Sequence, residues 1–241
     1  MMTITYPVYN GIYVNMTNRC PCACTFCLRH LSDHVQGSDS LWLDREPTVK
    51  EVCDSIDTWD LTKYSEIVFC GYGEPTERLN DLLEVAKYIR SKSDIKIRIN
   101  TNGLADLIWK ESTAPKLEGL VDTVSISLNA TNKEEYLKVV RPKFGIESYD
   151  AMLKFTKECT KYVPNVVMTV VDVVTSKEEQ ELCRKICESV GATLRIRPYI
   201  ESKTENFKKG TKKTKNSQYF AQLAVSEKWQ INKSLLLNSV V

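Results

Sequence analysis

The chain has no long apolar run. Its longest, Val166 to Val174, is broken by Thr169 and Asp172. A bilayer-crossing helix needs about 20 apolar residues, so no membrane partner is expected. The opening residues, Met1-Met2-Thr3-Ile4-Thr5-Tyr6-Pro7, show no basic stretch followed by an apolar one, and no secretory leader is read there. Excess charge is missing too. The net charge is +2, and from Glu201 onward eight lysines stand against three glutamates, which leaves the first 200 residues at −3. The body therefore makes no electrostatic case for a nucleic-acid partner, which would want phosphate-neutralising charge. Internal repeats beyond a β/α alternation and long low-complexity tracts are also absent. What remains is ordinary for a globular protein: 42% hydrophobic and 27% charged residues. At 241 residues the chain suits one α/β domain with a sizeable core.

Cysteine is not scarce. There are nine, an odd number, and four fall in Cys20-Pro21-Cys22-Ala23-Cys24-Thr25-Phe26-Cys27. Such bunching argues for metal or redox chemistry in a reducing, cytoplasmic setting rather than for disulfides. Cys20, Cys24 and Cys27 are spaced C-x3-C-x2-C. A short loop with that spacing can curl around one face of an iron–sulfur cluster, whose usual ligands are thiolates. Three thiolates on a four-iron cluster leave one iron open, the mark of a reactive site. The other reading is a structural zinc site, which takes four ligands; Cys22, His30 or His34 could supply the fourth.

The loop resembles that of the radical S-adenosylmethionine (radical SAM) enzymes, whose motif carries an aromatic residue before its third cysteine. Phe26 stands there. The flanking Asn15-Met16-Thr17-Asn18-Arg19, then Leu28-Arg29 and Leu41-Trp42-Leu43-Asp44-Arg45-Glu46-Pro47, are most similar to the TatD-family-associated radical SAM proteins. That match covers about residues 5–200. The resemblance implies a [4Fe–4S] cluster held by Cys20, Cys24 and Cys27, with Cys22 not a ligand, and S-adenosylmethionine on the open iron. An external flavodoxin- or ferredoxin-like donor would reduce the cluster. Reductive cleavage would give methionine and a 5′-deoxyadenosyl radical that abstracts hydrogen from a substrate. That substrate stays open between a nucleoside-like small molecule and a partner protein.

Along the chain, strands are expected at Gly11–Met16, Ser65–Cys70, Ile95–Ile99, Val121–Leu128, Asn165–Val174 and Thr193–Ile200, with helices between them. Capping boxes open helices at Thr48, Thr131 and Ser176. The last of these should bury Leu182, Ile186 and Val190, while Cys183 and Cys187, one turn apart, read as part of a buried face rather than a second metal site. Six strands alternating with helices imply a parallel sheet, doubly wound or an open barrel. The resemblance chooses a partial (β/α)6 barrel of the TIM type. The core domain spans 1–200. Residues 201–216, rich in lysine, read as a flexible linker, and 217–241 as a tail that could form a short helix. A lysine-rich tail touching nucleic acid on a non-catalytic zinc- or iron-binding module is the competing reading.

Further site candidates lie where strands end. Gly71-Tyr72-Gly73-Glu74-Pro75 follows the second expected strand, and its glycines allow close backbone approach. It is no dinucleotide fingerprint, because Thr76 replaces the third glycine. The resemblance aligns Gly73 and Glu74 with the segment that meets the cofactor's amino group. It also places Ser127 and Asn129 near the cofactor's sugar or carboxylate. Val170 is a candidate apolar wall for adenine. Arg197 and Tyr199 could flank the adenine or anchor an acidic substrate. Asn100, Thr101 and Asn102 point at the same rim.

Overall fold

The computed structural model describes residues 2–30, 32–35, 37–172 and 176–197. Tyr199, the linker at 201–216 and the tail at 217–241 lie outside the described residues. So does Val174, the end of the fifth expected strand.

An extra strand comes first. β1 (Thr5–Val8) runs antiparallel to β2 (Gly11–Val14), across a turn where Tyr9 has φ +51°. No strand before Gly11 was expected, and β1 contains Pro7. It is tolerated because β1 is a sheet edge, where a missing N–H costs no ladder bond. Then follow α1 (Val49–Asp57), β3 (Glu66–Phe69), α2 (Leu79–Lys92), β4 (Lys96–Thr101) and α3 (Ala105–Trp109). β5 (Thr123–Ser127), α4 (Lys133–Val140), α5 (Ser148–Cys159), β6 (Asn165–Val171), α6 (Lys177–Ser189) and β7 (Thr193–Arg197) complete the described chain.

Spatial order equals sequence order, β1 through β7, and every pair after the first is parallel. A doubly wound sheet would reverse direction at a switch point. Here nothing reverses, so right-handed crossovers carry every helix to the same face. The result is an open, partial barrel of six parallel strands with β1 added.

Register separates the two faces. Ile12, Ile67 and Ile97 form one row, and Val14, Phe69, Ile99, Val124 and Val166 the next. All are buried in one core with Val52, Leu82, Ile89 and Phe155 of the helices. The opposite, concave face is mostly polar: Arg98, Asn100, Ser125, Ser127, Thr169 and Arg197 fall on it by the same alternation.

Three expectations need correction. Val170 shares the register row of Ile196 and the face of Met168, is 0% exposed, and packs into the helix-side core. It therefore lies on the opposite face from Ser127. The cap of α4 is Asn132, not Thr131: its side chain accepts from the Glu135 amide. On α6 the buried positions are Cys183 and Cys187, while Leu182 is 50% exposed. The two thiols act as small hydrophobes facing the sheet.

Candidate active site

The cysteine loop leaves the C-terminal end of β2, and buried polar side chains set its path. Asn15 is fully buried and donates from Nδ2 to the carbonyls of Leu41 (2.7 Å) and Thr3 (3.2 Å). Asn18 clasps Leu43 in both directions, at 2.8 Å and 3.1 Å. Glu46 accepts from Thr17 Oγ1 (2.6 Å) and Arg19 Nε (2.7 Å). The segment Leu41–Glu46 is thus a strap over the strand exit. That gives Asn15, Asn18, Arg19, Leu41, Leu43 and Glu46 a shared physical purpose.

The far side of the loop rests on the C-terminal end of α4. Thr25 N–H donates to the Val139 carbonyl (2.9 Å), Ala23 N–H to that of Val140 (3.1 Å), and Lys143 N–H to that of Pro21 (2.8 Å). Cys22 and Pro142 form an isolated antiparallel bridge. A helix leaves its last carbonyls unpaired, and here the loop takes two of them. Arg29 closes the turn from within, donating to the carbonyls of Cys22 (3.1 Å) and Asn18 (3.4 Å).

Cys22 is the buried centre of the thiol group, and Cys20, Cys24 and Cys27 are half-buried. The Cys22 thiol is in hydrogen-bonding contact with Cys20 and Cys24 and holds both below the usual thiol range against their burial, with Arg29 pulling the same way. Those contacts push Cys22 itself far up. Burial raises Cys27, with Arg29 opposing. Asn102 Nδ2 lies 3.6 Å from the Cys22 sulfur and 4.0 Å from that of Cys20. Among the described residues no three histidine, cysteine or carboxylate side chains are grouped to hold a single metal ion. The donor set is thiol, with two members biased toward thiolate and an amide aimed at the sulfurs. That is the chemistry an iron–sulfur cluster takes.

The Gly71–Glu74 segment docks directly on the strand exit. A β-carbon on Gly71 would meet Asn15 Oδ1 at 2.0 Å, and one on Gly73 the Thr17 carbonyl oxygen at 2.2 Å. Glu74 N–H then donates to the Arg19 carbonyl (2.7 Å). The Glu74 carboxylate is buried. Its Oε1 accepts from Thr76 N (3.1 Å), Thr76 Oγ1 (2.7 Å) and Thr101 Oγ1 (2.7 Å), and its Oε2 from Asn102 N (2.7 Å). Burial raises its pKa while these donors pull it back. Glu74 therefore ties the β3 exit to the β4 exit, and Oε2 keeps acceptor capacity.

Of the other candidates, Phe26 is half-buried in the loop. Ser127 is half-buried at the end of β5, and Asn129 is buried with φ +58°. Arg197 ends β7 on the concave face. Three contributors escaped the sequence reading. Cys70, at the exit of β3, hydrogen-bonds Asn100 and feels Arg197 and Arg98; burial pushes its thiol up. Its place beside Gly71 was the available signal. Arg29 stood in the sequence only as a residue flanking the motif, and its closing of the loop through the Cys22 and Asn18 carbonyls was not read from it. Tyr136 is 1% exposed, and its hydroxyl has no hydrogen-bond partner among the described residues. Burial raises its pKa, with Cys22, Cys24, Glu74 and Cys20 adding to the rise.

Among solved structures the chain is similar to TYW1 with a lysine-pyruvate adduct bound (TM-score 0.58, 13% identity, 81% of this chain and 67% of that one). It is also similar to a radical SAM methyltransferase from Sphaerobacter thermophilus (0.57, 17%, 92% and 65%) and to Streptococcus suis SuiB bound to S-adenosylmethionine (0.56, 14%, 90% and 47%). At such identities the likeness is one of fold, and this chain spans only about half to two thirds of their lengths. No curated protein sequence matches it. The family model described as "Radical SAM superfamily" matches residues 14–186, from the end of β2 into α6. With its thiol loop at the exit of the first parallel strand, this chain belongs to the radical SAM superfamily, whose members bind a [4Fe–4S] cluster and S-adenosylmethionine.

Proposed function

We propose that this chain is a radical SAM enzyme of the TatD-family-associated kind, with Cys20, Cys24 and Cys27 holding the cluster. The observation that carries this is the group of free thiols in the loop at the strand exits, seated on the end of α4 and faced by the Asn102 amide, above a polar concave face. In (β/α) barrels chemistry sits at that end. Bound together, the cluster and S-adenosylmethionine supply one-electron cleavage of a sulfonium and hydrogen-atom abstraction.

The chain's own residues bind and orient. Glu74 Oε2 and the Gly73 backbone receive the cofactor's amino group. Ser127 and Asn129 serve its sugar or carboxylate, and Phe26 packs beside it. Thr169 and Val171, on the concave face where Val170 is not, flank the adenine. Arg197, with Tyr199 beyond it, flanks adenine or anchors an acidic substrate, either a nucleoside-like metabolite or a partner protein. Radical SAM enzymes need an external reductant, here a flavodoxin- or ferredoxin-like protein. No helix among the described residues is long and apolar enough to cross a membrane. A cytoplasmic setting, a core ending near residue 200, a linker at 201–216 and a tail at 217–241 complete the proposal.

One observation favours a second reading, a zinc- or iron-binding module without turnover: Cys22 touches Cys20 and Cys24, as a fourth ligand would. Anaerobic reconstitution separates the two. The enzyme should carry about four irons and four sulfides per chain and, after dithionite reduction, form 5′-deoxyadenosine slowly without substrate. Cys24→Ala should lose both the brown absorbance and that product, and Cys22→Ala should keep both. One tightly held zinc per chain and no 5′-deoxyadenosine would establish the module instead.

A further inference from the structure

The Tyr136 side chain presents a hydroxyl that packing alone does not need. It is 1% exposed, and its ring packs edge-on against Tyr149 with centroids 5.5 Å apart. Phenylalanine would fill that place without polar cost. A buried hydroxyl lacking a partner costs about 1–3 kcal/mol, and such a group calls for an acceptor that none of the described residues supplies.

Its surroundings say where the acceptor lies. The groups acting electrostatically on the hydroxyl are, in order, Cys22, Cys24, Glu74 and Cys20, three of them in the thiol loop. The backbone agrees. Tyr136 sits one turn before Val140, on the same helix face, and both side chains are buried. The Val139 and Val140 carbonyls bind the amides of Thr25 and Ala23, on either side of Cys24. The helix that carries Tyr136 is therefore fastened to the loop at the very residues that frame its middle cysteine.

We propose that the Tyr136 hydroxyl, which has no partner among the described residues, would donate a hydrogen bond to sulfur of the cluster that the thiol loop holds, and thereby raise the cluster's reduction potential. This rests on the function proposed above. A donor to sulfur favours the more negative, reduced state, because hydrogen bonds to the sulfurs are among the terms that set such potentials. Tyr136 is thus a positioning residue: it acts through the cluster and touches no substrate.

The test is spectroelectrochemical titration of the anaerobically reconstituted full-length protein, alongside its iron and sulfide content. Tyr136→Phe should keep the metal content and make reduction roughly tenfold less favourable, a shift of about 59 mV to more negative potential for one electron. A ring-fluorinated tyrosine at position 136, of nearly the same shape but a stronger donor, should shift the potential the other way. It decides the matter if the phenylalanine variant fails to fold. A fully loaded Tyr136→Phe protein with unchanged potential, or a fluorinated variant that does not move positive, overturns the inference alone. A wild-type chain that binds no four-iron cluster overturns the parent proposal and this one with it.

Discussion

A β-carbon on Gly73 would stand 2.2 Å from the carbonyl oxygen of Thr17 and 2.6 Å from that of Arg19. Both obstacles are backbone, so relief requires moving the strand exit that launches the cysteine loop. Gly119 offers the contrast. Nothing lies within 4 Å of its added carbon, and only its φ of +68° resists substitution. That conformation costs an L-residue roughly 1–2 kcal/mol. Gly73→Ala is expected to lower the unfolding midpoint more than Gly119→Ala, and to lose iron on reconstitution where Gly119→Ala retains it. Equal losses of stability and iron in the two variants would show that the docking at Gly73 is not tight. The motif was visible in the sequence as Gly-x-Gly-Glu. Its partner was not, because Thr17 and Gly73 are brought together only when β2 and β3 pair.

Helix α4 matters for its far end, and stability at its start should be felt there. Asn132 caps it through the Glu135 amide, a contribution of about 1 kcal/mol that alanine removes. Asn132→Ala should speed hydrogen exchange at the Ala23 and Thr25 amides, which are bonded to the helix's last carbonyls. Unchanged protection there would mean the loop is held by other contacts. At the opposite end of the barrel, Asp122 links three strands. Its carboxylate accepts from the Ile97 amide (2.8 Å), Lys96 (3.0 Å) and Arg90, and its carbonyl accepts from Asn165 N–H (3.1 Å). Burial alone would raise its pKa, but the Ile97 amide, Lys96 and Arg90 outweigh it and hold the carboxyl low. Because the folded pKa lies below the unfolded one, the stabilisation is complete above the ordinary aspartate range, near pH 3.9. It is lost as pH falls through the folded value. Asp122→Asn should be less stable at neutral pH, and its denaturant midpoint should fall less steeply below pH 4 than that of the wild type. Parallel acid limbs would remove Asp122 from the account.

At the scale of the molecule, one sheet serves two purposes, with an apolar face for folding and a polar face for binding. Val170 and Ser127 sit near each other in sequence pattern yet on opposite faces. Val170→Ala should cost about 2 kcal/mol, from lost burial and the cavity left behind, with affinity for S-adenosylmethionine unchanged. Ser127→Ala should weaken that affinity several-fold with little change in stability. Calorimetric titration and denaturant unfolding of both variants check this, and a Val170→Ala protein with weakened cofactor binding would contradict the two-face assignment.

The linear chain by itself determined the six parallel strands, the caps at Thr48 and Ser176 and the clustering of four thiols, because alternation, capping and motif spacing are local. The tertiary structure decided which side of each strand meets the helices. That choice depends on the hand and order of the crossovers, and so Val170 fell on the opposite face from the one expected. It also decided that the end of α4 underlies the loop, which sets Cys22 at the centre of the thiols and Tyr136 beside them. Those contacts join residues more than a hundred positions apart, a distance at which no local periodicity carries information.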